Sequence, residues 1–369
     1  MQTAVPSQKT STTVIEVDPR ADPRWDEFVR SRPDAAVFHL SDWAEVLHRA
    51  YGYQPRYLAL SGPDPDRLEG VLPLFMTRGL MSRKRVRLPA MNAAGPLATD
   101  EDGLVALLAA AAELTEREAR LLTLQSRKPG LDMLDERLRA IPKNPTWIAP
   151  VPAPEDVDLK RWKKHSRNLY RGVNRALEGG LTWREARGRE DLRRWYGLYL
   201  ATMRKRRTLP RSWRLMETTR SLLEPRGEFR LFVVERGDQM LAGVVTYPFN
   251  GTVDMMYNGS DPGELEARPN HLLNWGVLGW AARNGYSYLD IGDAEEGGPL
   301  SRFKMQFGAE RVEDYRYDYV INAAPRLEKA RTTGNNFENV DSETLAARAW
   351  AHIPLPALRA AGTAIYRFL

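Results

Sequence analysis

Cysteine is absent from the 369 residues. That excludes disulfides, thiolate zinc sites, iron–sulfur clusters and a cysteine nucleophile. Long apolar runs are missing as well. The longest, from Leu104 to Leu114, contains Glu113 and falls short of the ~18–20 residues a membrane span needs. The first residues, MQTAVPSQKTSTTV, lack the basic and apolar segments of a secretory signal. Histidine is scarce: His39, His48, His165, His271 and His352 are scattered, no pair has i,i+4 ligand spacing, and no metal site is expected. No G-x-S-x-G elbow and no phosphate loop with Gly-Lys-Ser or Gly-Lys-Thr occurs, so serine hydrolases and P-loop enzymes fit poorly. No fixed-period repeat argues for a solenoid. These absences leave a cytoplasmic globular enzyme as the expectation.

What is present is unevenly distributed. Hydrophobic residues make up 43% and charged residues 28%, an ordinary globular balance, and the length favours two domains. The formal net charge is +6, yet Lys160 to Arg220 holds 19 Lys and Arg against five Asp and Glu, so the remainder sums to −8. A basic segment on an otherwise acidic chain fits a polyanionic partner such as RNA, a nucleotide diphosphate or an anionic membrane surface. A solvated arginine-rich helical face is the competing reading. Residues 159–177 have helical periodicity, with Lys164, Arg167, Arg171 and Arg175 on one face and Trp162, Leu169, Val173 and Ala176 on the other.

Strand and helix patterns alternate along the chain. Strands are expected at 12–17, 57–60, 70–76, 85–88, 121–125 and 146–151, with helices at 25–30, 41–51, 103–117 and 131–140. A proline-rich joint at Pro152, Ala153 and Pro154 follows. Beyond it come strands at 181–186, 229–234, 240–247, 253–257, 286–291 and 315–320, with helices at 191–206, 212–223, 270–284 and 301–306. The expectation is an α/β protein with two mixed-sheet lobes, 12–150 and 151–320, of similar size and duplicated plan. The tail, 321–369, has amphipathic stretches at 345–350 and 358–369. Packing on the body is favoured over a membrane interface there, because basic residues on those stretches are few.

Three local features concentrate polar chemistry: Met203-Arg204-Lys205-Arg206-Arg207 ending a helix, Pro269-Asn270-His271-Leu272-Leu273-Asn274-Trp275 opening another, and Asp290-Ile291-Gly292-Asp293 followed by a glycine-rich acidic loop and Phe303-Lys304 with Phe307-Gly308. Together with Phe38-His39-Leu40-Ser41-Asp42-Trp43, Gly70-Val71-Leu72-Pro73-Leu74 and Asn174-Arg175-Ala176, their order and spacing resemble the Fem-type transferases. These comprise the FemA, FemB and FemX peptidyltransferases and the FemAB-like acyltransferases of exopolysaccharide loci. The resemblance spans roughly residues 25–320. It implies two tandem GNAT-like lobes and amide formation by attack of an amine on an activated acyl or aminoacyl ester. It also implies an aminoacyl-tRNA donor in the peptidyltransferase branch, an amine-bearing acceptor such as a peptidoglycan precursor, amino sugar or small metabolite, and no tightly bound cofactor. DNA is not an expected partner. The family's reacting-centre pair maps onto Phe303 and Lys304, and the acceptor-binding arginine onto Arg204. Asn270 and Tyr257 complete the expected substrate-binding set.

The chain departs from the family at Trp43-Ala44-Glu45-Val46-Leu47, where nucleotide-precursor enzymes carry a phosphate-binding lysine. That argues against a nucleotide-linked acceptor. Aminolysis builds negative charge on the carbonyl oxygen, and a fixed cation such as Lys304 can stabilise it. The amine must lose a proton, for which Asp290 is the chosen carboxylate among Asp290, Asp293, Glu295 and Glu296. Coenzyme A enzymes of this fold hold pyrophosphate on a glycine-rich turn, Q/R-x-x-G-x-G/A, before a helix. Here Pro262-Gly263-Glu264-Leu265-Glu266-Ala267-Arg268-Pro269 lacks that pattern. An acyl-CoA or acyl-carrier-dependent N-acyltransferase is therefore the alternative, with a noncatalytic RNA- or membrane-binding module third.

Overall fold

A computed structural model describes residues 12–78, 84–87, 94–321 and 352–367. The chain divides into two compact units. Of the described residues, the first comprises 12–45, 54–78, 84–87, 94–141 and 315–321; the second comprises 46–53, 142–314 and 352–367.

The first unit runs β1 (Thr13–Val17), α1 (Pro23–Ser31), the start of α2 (Asp42–Tyr51), β2 (Gln54–Ser61), β3 (Leu68–Arg78), β4 (Lys84–Arg87), β5 (Leu97–Ala98), α3 (Glu101–Glu118), β6 (Leu121–Ser126), α4 (Leu131–Leu134) and β7 (Arg139–Ile141). Asp22 and Asp100 cap α1 and α3 by accepting backbone N–H bonds from Arg24 and Gly103. The apolar face of α3 is set by Leu104, Leu107, Leu108 and Ala111, which pack on Leu58, Leu72 and Leu122.

The second unit runs β8 (Thr146–Pro150), α5 (Leu159–Trp162), α6 (Arg167–Glu178), β9 (Thr182–Ala186), α7 (Gly188–Arg206), α8 (Trp213–Leu223), β10 (Arg230–Arg236), β11 (Gln239–Phe249), β12 (Thr252–Ser260), α9 (Pro269–Arg283), β13 (Tyr288–Asp293), α10 (Pro299–Met305) and β14 (Glu310–Val312). The last strand, β15 (Tyr315–Val320), returns to the first unit, and α11 (Leu355–Ile365) closes the described chain in the second.

Both sheets share one pairing plan. The first has the order β1-β2-β3-β4-β6-β15-β7, with β5 pairing β3 off this path. The second, read from its far edge, has β9-β10-β11-β12-β13-β8-β14. In each, the only parallel contact among the described residues is between the fourth and fifth strands, β4 with β6 and β12 with β13, each joined through a helix. The sixth strand is exchanged: β15 lies between β6 and β7, and β8 lies between β13 and β14. The mixed α/β fold and the duplicated plan expected from sequence are observed. The sequence-based limits of 150/151 and 320/321 fall elsewhere on the chain than this division. Strand β8 precedes the proline joint yet pairs in the second sheet, and β15 pairs in the first.

Two local expectations need correction. Residues 131–140 form one helical turn and then β7, because Asp135 leaves the helical region and residues 139–141 pair with β15, about 175 residues away in sequence. Residues 159–177 are broken in two. The Ser166 hydroxyl accepts from the Leu169 N–H and starts a new helix, so Lys164 sits in the intervening turn rather than on the α6 face. The tail helix packs on α7 and α8, with Leu358 fully buried. Residues 345–350 lie outside the described residues.

Candidate active site

The second core is built around α9, whose Leu272, Leu273, Val277, Leu278 and Ala281 are buried among Phe232, Val244, Val253 and Leu289. It is apolar nearly all round because it is flanked by the sheet and by α6. Gly172 on α6 makes that contact possible. A methyl group there would lie 2.3 Å from the His271 ring.

Strands β12 and β13 pair only over Thr252–Asp254 and Tyr288–Asp290. Beyond that point β12 continues along β11 to Ser260, while β13 continues beside β8 to Asp293. Where they part, a cavity of about 530 Å³ opens. Its walls include Met255, Met256, Tyr257 and Asn258 from one strand and Ile291, Gly292 and Asp293 from the other. Helix α9 contributes Asn270, His271 and Asn274, α10 contributes Phe303 and Lys304, and the end of α7 with the following loop contributes Arg206, Thr208, Leu209 and Arg211. Tyr366, just past α11, completes the lining.

Lys304 is 3% exposed. Its ammonium donates to the Gly292 carbonyl at 2.8 Å and the Asp293 carbonyl at 2.7 Å. Gly292 has φ +85°, a conformation that glycine adopts without side-chain strain. Two of three N–H donors are thus committed, leaving one on a side chain that lines the cavity. Burial pushes its pKa down to about 8, against the opposing pull of Asp293 and Asp290. Phe303 packs edge-on against His271 at 5.0 Å and against Phe307 at 5.3 Å. Burial, reinforced by Arg268, lowers the His271 imidazole to about 4 and keeps it neutral near pH 7. Asn270 accepts from the Ser260 hydroxyl at 2.7 Å. Tyr257 packs edge-on to Tyr199 at 5.9 Å, and burial raises its phenol well above the usual range.

Four of the expected residues therefore share the cavity: Lys304, Phe303, Asn270 and Tyr257. Two lie outside its lining. Asp290 is buried, and its Oδ1 accepts from the Thr146 hydroxyl at 2.7 Å and the Gly292 N–H at 2.8 Å. It fastens β8 to β13 and the turn behind Lys304. The carboxylate on the cavity wall is Asp293, three residues on, which is exposed. Arg204 is also absent from the lining, whereas Arg206 and Arg211 belong to it. On a helix, a two-residue offset turns the side chain by about 200°, and the sequence had no register marker to choose between these arginines. Arg268, the other cation missed, sits at the start of α9 with φ +62°.

Of the basic set, Arg167, Arg171 and Arg175 are exposed on α6, and Lys164 is exposed in the preceding turn. Arg171 and Arg175 line a second depression together with Arg268, His271 and Phe303. Those last three also line the main cavity, so the depressions adjoin. Charged lining residues of the main cavity are Arg206, Arg211, Arg268 and Lys304 against Asp293. Among the described residues, no cluster of His, Asp or Glu is arranged to hold a metal ion.

Residues 163–305 match the family model of an acetyltransferase (GNAT) domain. This segment has the GNAT fold. The match bears out the transferase class expected from sequence. Among solved structures, FemX shares the fold with a TM-score of 0.66 at 17% identity, covering 87% of this chain and 100% of FemX. The C-terminal domain of a putative lysylphosphatidylglycerol synthetase from Agrobacterium fabrum follows with TM-score 0.56, 12% identity and coverages of 82% and 93%. A tandem GNAT protein from the clavulanic acid biosynthesis pathway has TM-score 0.52, 10% identity and coverages of 85% and 100%. At these identities the likeness is one of fold, and it agrees with the Fem-type, tandem GNAT architecture expected above. No curated protein matches by sequence.

Proposed function

We propose that this protein is a Fem-type acyl- or aminoacyl-transferase that forms an amide in the cavity between β12 and β13. The observation that carries this reading is Lys304. It is a buried ammonium, anchored by two carbonyls at the end of β13, on the wall of a cavity with an excess of positive charge. In the reaction the acceptor nitrogen attacks the ester carbonyl. The C–N bond forms, negative charge develops on the carbonyl oxygen, and the C–O bond then breaks. The free donor N–H of Lys304 stabilises that oxyanion, an effect worth about 2.7–4 kcal/mol when a single donor is removed from comparable sites. Asp293 accepts the proton lost by the amine, directly or through water. The departing alkoxide is neutralised by a proton from solvent or from the Lys304 ammonium, whose lowered pKa favours release. Phe303 holds the acyl portion against His271.

The donor we favour is an aminoacyl-tRNA, with Arg171, Arg175 and Arg268 meeting its phosphates beside the cavity mouth. FemX and the lysylphosphatidylglycerol synthetase domain support this by fold. The acceptor is an amine of a cell-envelope precursor, amino sugar or small metabolite. No helix among the described residues is long and apolar enough to cross a membrane. We place the protein in the cytoplasm, in peripheral contact with the membrane when its acceptor is a lipid.

The test is a donor comparison. Purified protein is incubated with bulk aminoacyl-tRNA charged with labelled amino acids, with acetyl-CoA and with anionic vesicles, and melting temperature and transfer of label to amines are followed. Stabilisation and label transfer with tRNA alone support the reading. A response to acetyl-CoA alone moves the protein to the acyl-CoA class, and binding to vesicles or RNA without transfer assigns it a noncatalytic role.

A further inference from the structure

Helix α9 gives three polar residues to the cavity wall, Asn270, His271 and Asn274, spaced so that they share one face. The next positions on that face, Val277 and Leu278, are fully buried in the core. Asn274 is therefore the last polar group before the apolar interior, and it is only 2% exposed. Its Nδ2 donates to the Asn270 carbonyl, one turn back, at 2.8 Å. A carbonyl only accepts, so this bond fixes the carboxamide with its nitrogen toward the helix backbone and its oxygen away from it. That Oδ1 has no hydrogen-bond partner among the described residues, and unlike the Trp195 Nε1 it is not sealed from solvent in that condition. The space it faces is the cavity. The other two carboxamides of the lining differ. Asn258 and Asn270 both bring Oδ1 within reach of the Ser260 hydroxyl, at 3.2 and 2.7 Å.

We propose that Asn274 is a substrate-binding residue: its carboxamide oxygen accepts a hydrogen bond from an amino N–H of the substrate and so selects an amine-bearing substrate over an isosteric one without the nitrogen. The inference rests on reading this cavity as the transfer site. A buried acceptor left without a donor is unfavourable, and an apolar side chain would continue the buried face of α9 without that cost. The helix bond satisfies only the nitrogen side of the carboxamide, so it does not account for the oxygen. The cations of the lining, Arg206, Arg268 and Lys304 among them, are donors, and Asn274 offers an uncharged acceptor among them. A carboxylate at this place would hold a bound amine in its protonated form, whereas a carboxamide accepts from the neutral amine that can attack an ester. The donor's α-amino group and the acceptor's amine present the same N–H chemistry to this oxygen.

The test uses the full chain, titrated with two matched sets of small probes at about pH 8.5, where an α-amine is largely unprotonated. The first set is alaninamide, lactamide and propionamide; the second is ethanolamine, ethylene glycol and 1-propanol. Within a set only one position changes, from nitrogen to oxygen to carbon. Wild type is expected to bind the amine of at least one set about tenfold more tightly than its carbon counterpart, because the latter leaves a buried acceptor unpaired. Asn274→Leu is expected to bring that ratio to within about twofold while retaining the melting temperature, since leucine extends the apolar face. A role confined to the helix would change stability and leave the ratio as it was. If Asn274→Leu does not fold, Asp293→Ala arbitrates, because Asp293 is the acidic group of the lining: a preference that survives in it supports Asn274, and one that is lost overturns the inference. Equal binding across both sets, no binding of any probe, lactamide or ethylene glycol held as tightly as the amine, or a preference that persists in Asn274→Leu also overturns it. Transfer of label from aminoacyl-tRNA is independent of these results and decides the transfer reading separately. Preference confined to the alaninamide set identifies the donor's α-amino group, and preference in the ethanolamine set identifies the acceptor amine.

Discussion

In the first unit, the helix following the fourth strand begins behind a carboxylate. Asp100 accepts from the Gly103 N–H at 2.8 Å, and Glu101 and Asp102 add negative charge to the first turn of α3. In the second unit, the corresponding helix α9 begins with Arg268 in a left-handed conformation and Pro269, with no side-chain cap and no acid in its first turn. The two sheets pair alike, so the contrast is one of electrostatics. The positive end of α3 is answered by the protein's own carboxylates. The positive end of α9 is reinforced by Arg268, which lines both adjoining depressions. One plan thus carries two opposite helix starts: in one copy it is neutralised by carboxylates, and in the other it has no acidic cap and a neighbouring arginine.

The sharpest way to test that contrast is at Lys304. Lys304→Ala should lower turnover on the order of 10²–10³-fold, with kcat affected more than KM, as single-turnover transfer of label would show. The pH dependence has a definite sign. Folding lowers this lysine from its ordinary value to about 8. Below about pH 8 both folded and unfolded chains carry the proton, and its burial costs stability. Between about pH 8 and 10.5 the unfolded chain binds the proton that the folded chain has released, so this group's contribution to stability rises with pH. Turnover that needs the ammonium falls over the same rise. A wild-type activity limb near pH 8 that moves upward in Lys304→Arg would confirm the assignment. A limb that stays in place would assign it to another group.

Packing gives the next effect. Gly172→Ala places a methyl group 2.3 Å from the His271 ring and should cost about 1–3 kcal/mol, read by denaturant unfolding. Arg268→Asp then gives α9 the acidic start that α3 has. It should weaken pyrophosphate or tRNA binding about tenfold, with the salt slope of tRNA binding reduced by about one. An unchanged slope would break the comparison. In the opposite direction, Asp100→Ala removes the α3 cap and should cost about 1 kcal/mol of stability while leaving anion binding unchanged.

How much of this was legible in the sequence depends on the range over which each choice is made. Periodicity alone located α3, α7, α8 and α9 to within a few residues, because their apolar faces repeat locally. Strands β10 and β11 are joined through Gly237 and Asp238, residue types that favour such a turn. The strand β7 was not legible, since what makes residues 139–141 extended is pairing with β15. The motif residues Phe303 and Lys304 line the cavity, whereas Asp290, the expected base, lies outside its lining and accepts from Thr146 across 144 residues of sequence. Arg206, Arg211 and Arg268 were missed because a run of arginines carries no local mark of which one turns inward. Tyr366 was missed for the same reason in stronger form, as nothing in its neighbourhood announces a cavity built by α7 and β12.

The reciprocal exchange of the sixth strands has a consequence for how the chain is made. When residues 1–141 have left the ribosome, the first sheet still lacks the strand that separates β6 from β7. That strand arrives only with Tyr315–Val320, after the whole second sheet has been synthesised. At roughly 5–20 residues per second, the delay from residue 141 to residue 320 is on the order of ten to forty seconds. Throughout that interval the edges of β6 and β7 are open to pairing with another chain. Assembly of the first unit is thereby timed by completion of the second, so the half without the cavity finishes folding only once the half that contains it exists.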